Sequence, residues 1–304
     1  MKRRRNLRLV QVDAFTDTAY GGNPAAVVIC DKGLEDETMK KIAREMNVRE
    51  TVFVSNSKVA DFRFHFMTPK GELGFSGHPT IAAFHALVEE GLAEVPGDVN
   101  MFQLETNVGV LSVEIVKNES TGRHEVQITH DKPSFMNTYD PKEYAEALGL
   151  TLADILSPNP VQTVSTGTPH LMVPVSTMRS LKRIKPDWGR LKELREGRDY
   201  VSIQVFTRET LEPTSDAHAR HFAPALGVYE DPVSGSGAGC MASYMIRYGI
   251  IEPTIPVTSI VVEQGHFVDR PGRVFVEVRG NQEDIEQVKV SGTGVTVLEG
   301  TVFV

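Results

Sequence analysis

Residues 76–79 read Ser-Gly-His-Pro and stand ahead of an apolar run, TIAAFHALV; residues 234–236 read Ser-Gly-Ser ahead of another, GAGCMASYMI. A helix start leaves its first backbone N–H groups without intrahelical partners and carries a partial positive charge, so a glycine turn there suits an anion. The spacing predicts Ser76 as a helix cap and Pro79 as the first helical residue, where a missing N–H costs nothing. A plain cap explains the first stretch taken alone. The second stretch changes the reading.

SGHPTIAAFHALVEEGL (76–92) and SGSGAGCMASYMIRYGI (234–250) align without a gap, Gly77 on Gly235, Gly91 on Gly249 and Leu92 on Ile250. Each opens with Ser-Gly, runs about four helical turns and stops at a glycine placed to end a helix. The match extends outward. DFRFHFMTP (61–69) resembles DAHARHFAP (216–224), each an alternating strand ending at proline, and GGNPAAVV (21–28) resembles GTPHLMVP (167–174). Downstream, LETNVGVLSVEI (104–115) has the outline of VEQGHFVDRPGRVFVEV (262–278). Four elements in one order imply a duplication.

The elements that position the two helix starts are therefore alternating strands around one longer helix per copy. The expected fold class is α+β: two pseudo-symmetric lobes, each a curled, mostly antiparallel sheet around a central helix. Lobe boundaries are expected at 1–130, with 288–304 returning to the first lobe, and 131–287. Residues 130–160, rich in turn signals, read as the link between them. Pseudo-twofold lobes would aim the helix ends after Ser76 and Ser234 at a shared cleft, a site for a carboxylate.

The 304 residues suffice for two such lobes, with 40% apolar and 24% charged residues as in globular proteins. A formal net charge of −8 argues against a nucleic-acid partner. MKRRRNLRLV begins with a basic run but leads into the alternating VQVDAF, and reads as a terminus entering a first strand rather than a secretory signal. No stretch approaches the ~18 uninterrupted apolar residues of a membrane span. Cys30 and Cys240, without ligand spacing, read as buried free thiols of a cytoplasmic protein, neither a disulfide nor a zinc site.

GHPTIA and EDPVSGSGAG, with RETVFV upstream of the first and EQG downstream of the second, resemble the phenazine-biosynthesis (PhzF-like) isomerase family, whose fold is that of diaminopimelate epimerase and proline racemase. The resemblance runs from VDAFTDTAYGGNPAAVV to the final GTVFV. It implies an isomerase that needs no cofactor or metal, works as a homodimer and binds a small carboxylate between its lobes. It further implies Glu50 of VRETVFV as the acid/base that moves a proton on carbon. His78 and Asp231 would bind polar substituents and relay protons. Ser236 would be a further ligand, and the backbone near Gly77 and Gly235 would hold the substrate carboxylate. The residues suit these roles. Partial burial beside TVFV would raise the Glu50 pKa toward the operating pH, and the helix field at His78 would keep the ring neutral. The named family reaction, isomerisation of trans-2,3-dihydro-3-hydroxyanthranilate, is the substrate the resemblance suggests.

The epimerase and racemase branches place a cysteine before each helix as opposed bases. Here those positions carry Ser76 and Ser234, and a serine hydroxyl without a partner base is too weak to replace a thiolate. A single carboxyl base fits better than two-base racemisation. The alternative from another class is a non-catalytic binding member of the same fold. SGSGAG lacks the preceding apolar strand and the Lys-Ser/Thr of a nucleotide loop, and GFSGH has His where a hydrolase elbow has Gly. His218 and His221, three apart on a strand, face opposite sides and make no metal pair. Met39, Ile42 and Met46 form a helix core stripe.

Overall fold

The computed structural model of the protein describes residues 5–118 and 122–304; the basic start, residues 1–4, lies outside the described residues. In chain order the elements are β1 (Asn6–Ala14), β2 (Asn23–Ile29), α1 (Asp36–Met46), β3 (Glu50–Ser55), β4 (Phe62–Thr68), β5 (Gly71–Leu73), α2 (Gly77–Glu89), β6 (Val99–Thr106), β7 (Gly109–Lys117) and β8 (His124–His130). There follow β9 (Ser134–Tyr139), α3 (Pro141–Ala147), β10 (Val161–Ser165), β11 (Pro169–Pro174), α4 (Met178–Arg183), α5 (Trp188–Arg195), β12 (Ser202–Thr207) and β13 (Ala217–Ala223). The chain closes with β14 (Val228–Asp231), α6 (Gly235–Arg247), β15 (Val257–Gln264), β16 (Gly272–Gly280), β17 (Ile285–Gly292) and β18 (Gly294–Phe303). The fold is α+β. The chain divides into two compact units, Met1–Ile128 with Ser291–Val304, and Thr129–Val290.

In the first unit β18 pairs antiparallel with β1, and β1 with β2. β2 runs parallel to β3 through the α1 crossover. β3 and β4 are antiparallel, β4 runs parallel to β6 through the α2 crossover, and β6–β7–β8 continue antiparallel. The second unit repeats the scheme. β11 runs parallel to β12, β12 is antiparallel to β13, and β13 runs parallel to β15 through the α6 crossover before β15 turns back into β16. Residues 130–160 are not a linker, as the turn signals suggested. β9 pairs with β10, and Tyr144, Leu148 and Ile155 are core residues of the second unit.

The repeat reaches single hydrogen bonds. Asp61 donates its backbone N–H to Gln103 O (2.9 Å) and accepts the Gln103 N–H on Oδ2 (2.7 Å). Asp216 does the same with Val261, at 2.8 Å both ways. A short carboxylate ahead of the strand thus starts each parallel pair.

α1 is amphipathic, burying Met39, Ile42 and Ala43 against β3 and β4 with Met46 partly buried beside them, so the expected stripe is a core stripe. α2 and α6, each 13 residues long, are buried on nearly every side, as helices without a polar face must be. Both end in the same motif. Gly91 (φ 67°) donates to Val88 O and Leu92 to Leu87 O, while Gly249 (φ 62°) donates to Ile246 O and Ile250 to Met245 O. Those paired bonds demand a left-handed residue, which only glycine adopts without strain.

Strand alternation assigns the faces. Ala26, Val28 and Phe53 join the cluster under α1, so Ala25, Glu50 and Val52 face the other side, where α2 packs on β2 and β3. In the second unit Leu171, Val173, Ile203, Val205 and Phe222 join the cluster under α3–α5, leaving His170, Ser202, Gln204 and His221 on the α6 side.

Candidate active site

Chemically equipped residues collect at the start of α2 in the first unit and at the start of α6 in the second. Glu50 opens β3 and is 3% exposed, deeper than the partial burial the sequence suggested. Its Oε1 lies 3.5 Å from Arg49 Nε. His78 is the second residue of α2 and is buried, whereas Ser76 and Gly77 before it stay partly exposed.

Ser76 occupies the cap position with extended backbone but makes no side-chain cap bond. The reason is Pro79. It is the third residue of α2, not the first, and a capping serine normally bonds the third residue's N–H, which proline lacks. The Ser76 carbonyl instead accepts from Thr80 Oγ1 at 2.7 Å. At α6 the third residue is Gly237, whose N–H does donate to Ser234 Oγ at 3.2 Å.

Asp231 ends β14, is buried, and stands opposite His221 in the β13–β14 ladder. Its carbonyl accepts from Gln264 Nε2 at 2.8 Å, which fixes the Asp231–Pro232–Val233 turn leading into α6. Ser234, Gly235 and Gly237 are buried, while Ser236 keeps partial exposure. Thus Asp231, Ser234, Gly235 and Ser236 share one continuous turn.

Beneath that turn lies a buried polar layer that the sequence reading missed. Ser202 Oγ is 2.5 Å from His170 Nδ1, and His170 Nε2 is 2.8 Å from Ser236 Oγ. His221 Nδ1 is 2.5 Å from Gln204 Oε1, Gln204 Nε2 donates to Gln264 Oε1 at 3.3 Å, and the rings of His170 and His221 meet edge to face at 5.2 Å. Gly237 is required here. A Cβ on it would fall 2.6 Å from Gln204 Oε1 and 2.9 Å from His221 Nδ1. One signal was available: His170 sits in GTPHLMVP, already matched to GGNPAAVV.

His218 and His221 point to opposite faces of β13. His218 pairs with Glu263 at 2.7 Å in full burial, while His221 joins the layer under α6. Cys30 and Cys240 are buried free thiols, each pushed up to about 11 by burial, so neither offers a thiolate at neutral pH. No described helix is long and apolar enough to cross a membrane.

A profile of the family described as phenazine biosynthesis-like protein (PhzC-PhzF) matches residues 12–300. The chain belongs to this family. Among its relatives, the uncharacterized isomerase YfhB of Bacillus subtilis (strain 168) is 34% identical over 295 residues, covering 96% of this chain and 97% of that one. The trans-2,3-dihydro-3-hydroxyanthranilate isomerase of Pseudomonas fluorescens is 30% identical over 296 residues, covering 96% and 98%. The crystal structure of a PhzF-family phenazine biosynthesis protein from Bacillus anthracis superposes with a TM-score of 0.87 at 32% identity, covering 99% of this chain and all of that one. The protein is a PhzF-family isomerase.

Proposed function

We propose that this isomerase shifts a proton on the carbon skeleton of a small carboxylate, with Glu50 as the acid/base. The observation that carries the reading is Glu50 itself. A carboxylate only 3% exposed at the head of a strand is costly to bury, and a carboxyl group is what proton transfer at carbon needs. Arg49 Nε stands 3.5 Å from Glu50 Oε1, and a carboxylate held at a fixed place at the head of a strand is a group that can take a proton from carbon and return it.

His78 and Asp231 bind polar substituents of the substrate and help relay protons. Ser76, Ser234 and Ser236 are further substrate ligands, and the backbone near Gly77 and Gly235 holds the carboxylate, since N–H groups and polarity at a helix start favour an anion. The reaction needs no cofactor, and the working form is a cytoplasmic homodimer. Trans-2,3-dihydro-3-hydroxyanthranilate is the substrate to try first, because the Pseudomonas fluorescens relative carries that activity in its name at 30% identity over nearly the whole chain.

Proton NMR in deuterated water with that compound tests the reading. The parent protein is expected to isomerise it and install deuterium on carbon, and Glu50→Gln to slow both by about 10³-fold with the fold intact. Equal rates in parent and variant would overturn Glu50 as the base. A parent that leaves the compound unchanged overturns that substrate, and a screen of small amino and hydroxy acids for deuterium uptake then decides between an isomerase of another acid and a binding protein.

A further inference from the structure

The strand ladders place the two units' polar groups in register. Ala25 faces Glu50 across the parallel β2–β3 pair, and His170 faces Ser202 across the parallel β11–β12 pair. Glu50 and Ser202 are both the first residues of their strands, and His78 and Ser236 are both the second residues of their helices. The first unit therefore sets Ala25, Glu50 and His78 where the second sets His170, Ser202 and Ser236. The titratable group has moved from one strand to its neighbour. It reaches the helix start through a hydroxyl, and each contact in the chain Ser202 Oγ, His170, Ser236 Oγ is 2.8 Å or shorter.

We propose that His170 is a positioning residue that acts through Ser236, holding its hydroxyl at the start of α6 and exchanging a proton with it as Ser236 handles a polar substituent of the substrate. The proposal rests on the preceding reading of Ser236 as a substrate ligand. In the tautomer that donates Nδ1–H to Ser202, the His170 Nε2 lone pair accepts the Ser236 hydroxyl proton. When a substrate N–H or O–H gives its proton to Ser236 Oγ, the original Oγ–H bond breaks and an Nε2–H bond forms. Ser236 remains a hydroxyl, His170 becomes an imidazolium, and the substrate carries the electron pair. The reverse sequence returns the proton. A serine alone is a poor proton carrier at neutral pH, whereas the imidazole nitrogen 2.8 Å from its Oγ can take up the proton it gives up.

Two geometric facts support a device rather than a packed core. Ser202 and His170 are 2% and 3% exposed while Ser236 is partly exposed, so the chain runs outward from the interior. The rings of His170 and His221 meet nearly at right angles, 74° between planes, which limits the rotation of each.

The first test needs no substrate. In the full chain labelled with ¹⁵N-histidine at pH 7.5, Ser236→Ala should move the His170 Nε2 resonance and Ser202→Ala the Nδ1 resonance. An Nε2 signal unmoved by Ser236→Ala overturns the proposal. The second test uses trans-2,3-dihydro-3-hydroxyanthranilate in deuterated water. His170→Gln and Ser236→Ala should each lower kcat about 10²-fold with KM within about threefold, and the double variant should be no slower than either. Additive losses, or a raised KM at unchanged kcat, would make His170 a structural residue and overturn its proton role. Thermal midpoints within a few degrees of the parent's show that each variant is folded. If the parent does not turn the compound over, the substrate reading has failed, and the nitrogen spectra alone uphold or overturn the Ser202–His170–Ser236 chain.

Discussion

The two units share a chain path but fill it with opposite chemistry. On β4 of the first unit Phe62, Phe64 and Phe66 pack with Phe75, Phe84 and Phe102, with ring centroids 5.4–6.4 Å apart. The matching strand β13 carries Ala217, Ala219 and His221, and opposite Phe66 and His221 in the ladders stand Val52 and Gln204. Aromatic packing holds its shape without any polar partner. A buried imidazole and two amides keep theirs only if each donor finds an acceptor, and in return they can place a hydroxyl or a carbonyl with angular precision. The first unit is built for a stable surround to one carboxylate. The second is built to orient a turn.

The sharpest way to break that contrast uses a pair that both units possess. Arg63 faces Glu105 across one parallel ladder at 3.4 Å, and His218 faces Glu263 across the other at 2.7 Å. The first pair is partly exposed and the second fully buried, with Glu263 also accepting from the N–H groups of Leu211 and Glu212. Glu263→Gln is therefore expected to cost about 3–5 kcal/mol in urea unfolding, and Glu105→Gln under about 1 kcal/mol. Equal losses would mean that the ladders, and not burial, set the worth of the pair.

A smaller effect is expected at the third residue of each long helix. Gly237→Ala drives a methyl into the Gln204 and His221 side chains and should cost about 1–3 kcal/mol. Pro79→Ala at the matching place in α2 removes buried ring methylenes, at a cost of about 1–2 kcal/mol, but by restoring an N–H it should let Ser76 cap the helix. Amide hydrogen exchange at the helix starts would show whether it does.

A further effect is a pH dependence. Burial pushes His130 of the second unit down to about 4, against a weaker opposing pull from Asp131. Below the ordinary histidine value the unfolded chain takes a proton that the folded chain refuses, so stability is whole above about pH 6.5 and falls as pH drops toward about 4. Because the ring is only partly shielded at the surface, the loss should be about 2 kcal/mol. His130→Gln should flatten that slope in unfolding curves taken between pH 7 and pH 4.

The duplication was legible because it is written in local signals: Ser-Gly starts, Gly91 and Gly249 stops, and aspartates ahead of alternating strands. The segment 130–160 was misjudged because turn residues mark the ends of short elements as well as linkers. α3 announces itself only by Asp140 accepting the Lys142 N–H and by Tyr144, whose burial depends on distant Tyr200. Residues near a motif can be singled out from the sequence, whereas His170, Ser202 and Gln204 cannot. They lie on strands whose neighbours are apolar, and only the parallel β11–β12 register brings the first two together. Pro79 was shifted by two places because a proline is equally harmless at the first and third positions of a helix.

The pairing of β18 with β1 has a consequence for synthesis. The ribosome makes β1 long before its partner β18, with the whole of residues 129–290 in between. The second unit is one unbroken stretch and can fold as it emerges, whereas the first must wait with the edge of β1 unpaired until β18 arrives. The phenylalanine-rich unit that houses Glu50 is thus completed only after the second unit has been made.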